Sequence, residues 1–223
     1  MTDSALISRL PQQYNDQVSP EERPDMSLFL PTSSEDTSFP VSINTINLSE
    51  RYMYMFSWHW HEEVEFTIVK SGQINLKLSN KSFLLNPGEG FFINQNRLHS
   101  FRAVAAEDCI VEAFKFHPSA VFGYGNATMS VKYLTPLLSS GLLHCLIFSQ
   151  NDAETSEIYQ VVKEAFTLCA EKKFGYELLV KSALCRLWNL LLPYAETVSD
   201  AVSHFSAQAV TDSARVKQAI LFI

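Results

Sequence analysis

Four side chains in this sequence are of the right types to share a site. His59 and His61 stand two apart in "HWHEEVEFTIVKSG" (59–72), Glu65 follows four residues later, and His99 comes from a separate segment. On a strand, residues two apart point to the same face, so both imidazoles turn the same way. Glu65 has the same parity and follows an expected turn, which returns it to that face. His99 follows a turn of its own. Three imidazoles and one carboxylate converging on one point form a donor set for iron, manganese, nickel or zinc. The same groups could instead hydrogen-bond an organic ligand with no metal present. The residues alone leave both readings open: the first suits an enzyme, the second a sensor. Phe101 shares the parity of His99 and is expected to line the same pocket. Trp58 and Trp60 have the opposite parity and are expected to pack the outer face. His117 and His144 lie in apolar surroundings and read as structural, whereas His204 lies in a polar linker and reads as solvated.

The segment that must position these groups reads as strands from about 41 to 117. "QINLKLSNKS" (73–82) alternates cleanly, with Ile74, Leu76 and Leu78 on one face and Asn75, Lys77 and Ser79 on the other. "VEFTIVKSG" ends at Gly72, expected to turn a hairpin, and "SFLLNPGEGFFIN" reads as two short strands around a Pro-Gly turn. Many short strands with no helix between them indicate an antiparallel barrel or sandwich.

The pattern changes after Pro118. A short helix stopped near Gly141 and an extended piece are expected between 131 and 148. Residues 152–172 then read as an amphipathic helix with Asp152 as its cap and Gly175 as its breaker. Residues 176–192 read as a second helix, ended by Pro193. Its stripe of Leu179, Ala183, Leu184, Leu187, Trp188 and Leu191 is wide enough to serve a homodimer interface as well as its own chain. A connection of about three residues makes the two helices antiparallel neighbours. Ahead of the strands, five of the nine prolines fall in 11–40, so residues 1–40 read as an irregular arm. The expected order is arm (1–40), barrel (41–118), linker and helical hairpin (119–198), and a final linker (199–223) that turns helical near Ser213. That last helix stops in mid-pattern at Ile223, as if a further domain began there.

Composition narrows the function. A net charge of −7 with no Lys/Arg cluster does not suit nucleic-acid binding by this polypeptide alone, because phosphate contacts need a basic face. No run approaches the roughly 18 apolar residues of a membrane span. The amino terminus lacks the basic and apolar regions of a signal peptide, so a cytoplasmic protein is expected. Cys109, Cys145, Cys169 and Cys185 are scattered, with no CxxC pair, and read as buried reduced thiols.

His59, His61, Glu65 and Gly72 match HxHxxxExxxxxxG, the fixed positions of the first cupin motif after its leading glycine, where Met53 stands. The second motif, PxGxxHxxxN, is reduced to "NQNRLHSFRA": Asn94 and Asn96 replace proline and glycine, His99 remains, and Ala103 replaces asparagine. From about residue 40 to 223 the chain resembles the amino-terminal domain of AraC-family transcription regulators. The resemblance implies a mainly β fold with α: a cupin-type double-stranded β-barrel (jelly roll) followed by an antiparallel helical hairpin. It also implies a domain that is not an enzyme. The barrel would hold a small effector, a sugar or other metabolite, at His59, His61, Glu65, His99 and Phe101. A homodimer would form through helix 176–192, and promoter DNA would be bound only by the full-length protein, through a helix-turn-helix domain beyond Ile223. Sensor barrels of this family often keep such histidines without metal chemistry, so no cofactor is implied, although a divalent transition metal on His59, His61, Glu65 and His99 remains the alternative. The alternative function is a metal-dependent cupin enzyme, such as a dioxygenase or isomerase, that uses those four residues; metal by itself would not make the chain an enzyme.

Overall fold

The residues that alternate in the sequence do so because one of their faces is buried. In the computed structural model, which describes residues 38–48, 55–78, 81–105, 108–123, 130–134, 137–138 and 143–202, they form two antiparallel sheets. One sheet has the order β1 (Val41–Asn47), β8 (Ile110–Phe116), β3 (Val64–Ser71), β6 (Glu89–Ile93) and β9 (Cys145–Ser149). The other has the order β2 (Met55–His59), β7 (His99–Ala103), β4 (Ile74–Leu78) and β5 (Lys81–Leu85). The fold is the expected cupin-type barrel, with the two sheets closing over a shared interior. That interior is apolar along much of its length, with Val69, Ile74, Leu76, Phe91, Ile93, Phe101, Val111 and Ala113 in one buried cluster.

The central strand β3 is buried along almost its whole length. Val64, Phe66 and Ile68 join Phe92, Phe114 and Phe116 in a second cluster with the helices. Glu65, Thr67 and Val69 alternate with them and so face the barrel interior. A strand covered on both faces has no polar side to show, which explains why "VEFTIV" alternates less clearly than "INLKL". Gly72, in the β3–β4 connection, has φ +72°, as the hairpin reading requires. Strand β9 comes from beyond residue 118 and pairs with β6, so the barrel takes a strand from the segment expected to be linker.

The helices are α1 (Ser119–Phe122), a π-helical turn (Ser130–Leu134), α2 (Ser156–Glu171) and α3 (Tyr176–Val202). Asp152 does not cap α2. It belongs to the preceding turn, where it accepts a hydrogen bond from the hydroxyl of Thr155, the residue at the cap position. Nor does Pro193 end α3, which continues nine residues further. A proline inside a helix leaves the carbonyl four residues earlier without its helical donor. That carbonyl belongs to Asn189, on the exposed side of α3, where water can serve it.

The two long helices pack as an antiparallel hairpin. Arg186 on α3 reaches Glu164 at 2.9 Å and Glu157 at 3.9 Å on α2, and the Tyr194 hydroxyl lies 3.4 Å from the carbonyl of Glu154, just ahead of α2. The apolar stripe of α3 is not left over for a partner. Ala183, Leu184, Leu187, Trp188 and Leu191 are all buried within the chain. Of the six expected stripe residues only Leu179 is exposed, together with its neighbours Phe174 and Leu178. The thiols differ as well: Cys109 and Cys169 are buried, but Cys145 is half-buried and Cys185 exposed. His204 and the helix expected from Ser213 lie outside the described residues, as do residues 1–37 of the proline-rich arm. No described helix is long and apolar enough to cross a membrane.

Candidate functional site

Three strands and the loop after β2 bring the predicted residues together. His59 ends β2 and His99 opens β7; they are paired across the four-stranded sheet, with ring centroids 4.1 Å apart. His61 lies just past β2, its ring centroid 5.8 Å from that of His59 and 5.3 Å from that of His99. Glu65 enters from β3 in the opposite sheet. One ligand-type atom from each of the four lies within 4.8 Å of all the others. None of the four side chains is more than 5% exposed. Phe101 follows His99 on the same face of β7, and its ring is tilted against that of Phe91, centroids 5.7 Å apart, in the barrel interior. It belongs to the apolar lining and not to the polar cluster. Trp58 and Trp60 are half-buried. His117 holds the end of β8, where its Nδ1 takes part in a contact of 2.8 Å with the Ser119 hydroxyl. His144 is half-buried, and its carbonyl accepts from the Asn94 N–H.

The departures from the second cupin motif prove to be structural parts of the site. Asn96 stands where the motif has glycine and adopts φ +56°, the left-handed conformation that asparagine tolerates better than most residues. Its N–H donates to the carbonyl of His61 at 2.7 Å, tying the two histidine loops together. Asn94 stands where the motif has proline. Its side-chain amide donates to the carbonyls of Leu137 and Leu143 at 2.8 and 2.9 Å, anchoring the loop before β9.

Backbone carbonyls orient two of the rings. Nδ1 of His99 lies 2.8 Å from the carbonyl of Arg97, and Nδ1 of His61 lies 3.0 Å from that of Glu63. Each carbonyl is an acceptor, so each Nδ1 is a donor and each Nε2 is left facing the cluster. Nε2 of His61 is 2.9 Å from Oε2 of Glu65. Nε2 of His99 is 3.6 Å from the same oxygen, too far for a hydrogen bond. Oε1 of Glu65 accepts from the Thr67 hydroxyl at 2.7 Å.

The sequence reading missed Lys115. Its ammonium lies 3.4 Å from Oε2 of Glu65, and the residue is only 8% exposed. Glu65 and Lys115 are direct cross-strand partners on β3 and β8. Burial by itself would raise the Glu65 carboxyl, but the Lys115 charge and the neighbouring His61 and His99 outweigh it and hold the group well below the usual carboxylate range. The signal for Lys115 was present in "CIVEAFKFHP": it continues the inward parity of Val111 and Ala113. What the sequence lacked was the register that sets it opposite Glu65. Thr67 also carried a signal, being two residues beyond Glu65 on the same face.

The donor set and its neighbours disagree about a metal. Three imidazoles and a carboxylate suit a divalent ion, and carbonyl-bound histidines are its usual support. The Lys115 ammonium does not suit one. An ion on Oε2 at about 2.1 Å would lie within about 5.5 Å of Nζ. At an effective dielectric of about 20, repulsion between the two charges would be at least about 6 kcal/mol. With Lys115 in place, the residues do not fit a divalent metal.

The family described as the AraC-like ligand binding domain matches residues 48–188. An "Uncharacterized HTH-type transcriptional regulator YdeC" of Bacillus subtilis (strain 168) is 22% identical over 199 residues, covering 89% of this chain. The chain spans 66% of that relative's length. Among solved structures, the chain is similar to unsaturated fatty acid-bound ToxT from Vibrio cholerae strain SCE256. The TM-score is 0.45 and the identity 12%, over 70% of this chain and 56% of that one. It is also similar to a Cupin_2 domain of an XRE family transcriptional regulator from Enterobacter cloacae. There the TM-score is 0.32 and the identity 18%, over 37% of this chain and 87% of that one.

Proposed function

This chain belongs to the AraC-like ligand-binding domain family, and on that premise we propose that it is the effector-sensing domain of a cytoplasmic transcription regulator. The observation that carries the proposal is the cluster of His59, His61, Glu65 and His99, buried together inside a barrel whose interior is apolar along much of its length. Buried polar groups cost free energy unless they are paired. Nε2 of His99 has no hydrogen-bond partner among the described residues. A small polar metabolite with hydroxyl groups, such as a sugar, would supply partners there, with Phe101 and Phe91 as the apolar wall. The site is a binding pocket and not a catalytic one. The alternative, a metal-dependent cupin enzyme, is opposed by Lys115.

The test is calorimetric titration of the chain with a panel of neutral monosaccharides and short carboxylic acids. One class should bind, and His61→Ala and His99→Ala should each weaken it at least about 10-fold, or about 1.4 kcal/mol. His117→Ala should leave it unchanged. A bound molecule whose affinity survives both substitutions would place the effector elsewhere.

In this reading DNA contact is the task of a separate helix-turn-helix domain of the regulator. The effector acts by binding one arrangement of the attached domains more tightly than another. Dimerisation is assigned to the start of α3 and the connection before it, where Leu178, Leu179 and Phe174 are exposed. Sedimentation should show a dimer that Leu178→Glu converts to a monomer. A wild-type chain that stays monomeric at about 50 μM, where interfaces of micromolar affinity are filled, would remove this assignment.

A further inference from the structure

The cluster carries the ligands of a metal centre together with a charge that such a centre would repel. We propose that Lys115 is the resident cation of this site and that its ammonium, not a divalent metal, balances Glu65. The proposal rests on the effector-pocket reading only in that both concern the same site.

Three features of the fold keep the ammonium where it is. First, Lys115 is on β8, between β1 and β3 in the five-stranded sheet, and the β3 register places it directly across from Glu65. Second, its ammonium approaches Oε2, at 3.4 Å, and this is the oxygen turned towards His61 and His99. A metal would need that same oxygen. Third, Thr67 donates to Oε1 at 2.7 Å, so the carboxylate cannot turn to offer a free oxygen without breaking that bond. Lys115 is almost fully buried, so moving its charge to water would require unpacking the strand. Among the described residues a further carboxylate near the cluster is Glu63, whose Oε2 lies 3.6 Å from Nδ1 of His61, on the side of that ring away from Glu65. It offers no second carboxylate at the place a metal would take.

The consequence is a site with the residues of a metal centre and the behaviour of a hydrogen-bonding pocket. One lysine makes the difference. Removing its charge while keeping its length should expose the metal site that the other four residues still encode.

The experiment is titration of the chelator-stripped chain with Co2+, followed by calorimetry and visible absorption. The wild type should show no binding of one equivalent and no d–d bands. Lys115→Met should bind one equivalent at least about 100-fold more tightly than the wild type, and Lys115→Met/His99→Ala should lose that binding. Lys115→Gln provides the same comparison if the Met variant does not fold, and the wild-type titration needs no variant. Two results would overturn the proposal: a wild type that binds one equivalent of Co2+ and loses it on His99→Ala, or folded Lys115 variants that bind no more tightly than the wild type. Either would leave intact an effector affinity that depends on His61 and His99. Conversely, an effector indifferent to those histidines would defeat the pocket reading without altering the Co2+ result.

Discussion

Glu65→Gln is expected to lower the free energy of unfolding by about 3–5 kcal/mol, the cost of leaving a buried charge without its partner. The amide keeps the shape of the side chain but cannot balance the Lys115 ammonium at 3.4 Å. Adding Lys115→Met should restore much of the loss, because replacing both members of a buried pair costs far less than breaking it. Urea unfolding of the four proteins in this cycle measures the coupling directly. Additive losses would mean that the two residues do not form a functional pair. The effect should also depend on pH. The Glu65 carboxyl is held low in the folded state, so its contribution is fully present above the ordinary glutamate value of about 4.3. It is lost as pH falls towards the lower folded value. The stability gap between the wild type and Glu65→Gln should therefore be full at neutral pH and start to close only below about pH 4. A gap that closed between neutrality and about pH 5 would identify a different titrating group.

Trp188→Ala is expected to cost about 3–5 kcal/mol, for reasons that concern the hairpin and not the site. Trp188 is 3% exposed. Its indole N–H donates to the carbonyl of Tyr133 at 2.9 Å, and its ring meets Phe116 and Phe122 edge-on at 6.3 and 6.0 Å. One side chain thus joins α3 to the π-helical turn, to β8 and to α1. Truncation would open a cavity and leave the Tyr133 carbonyl without that donor. Leu179→Ala, on the exposed side of the same helix, should change stability by no more than about 0.5 kcal/mol in the monomer. The two urea midpoints check the assignment of the faces. If Leu179→Ala proved as costly as Trp188→Ala, the hairpin would pack with the opposite face inward.

What could be read from the residues alone was local. Period-two alternation in "INLKL", the shared parity of His59, His61 and Glu65, and the turn at Gly72 depend on backbone geometry over a few residues. So does the three-and-four spacing of the helices, and these readings agree with the fold. Helix limits were less legible. Asp152 and Pro193 are ordinary punctuation, yet Thr155 took the cap position, and α3 runs on through Pro193. Asn96 looked like decay of a motif and instead keeps a left-handed turn in place.

The sequence by itself determined the types of the donor set and the spacing of His59, His61 and Glu65, because covalent geometry sets parity over a few residues. The tertiary structure decided what surrounds the set. Lys115 lies 50 residues from Glu65 in sequence, and nothing local to either one names the other. Strand register, set by packing over two whole sheets, puts the ammonium against the carboxylate. The packing of the helices likewise buries most of the apolar stripe of α3 within its own chain. Both outcomes are properties of long-range pairing, and in each of them the physical cause is which surfaces the closed fold removes from water.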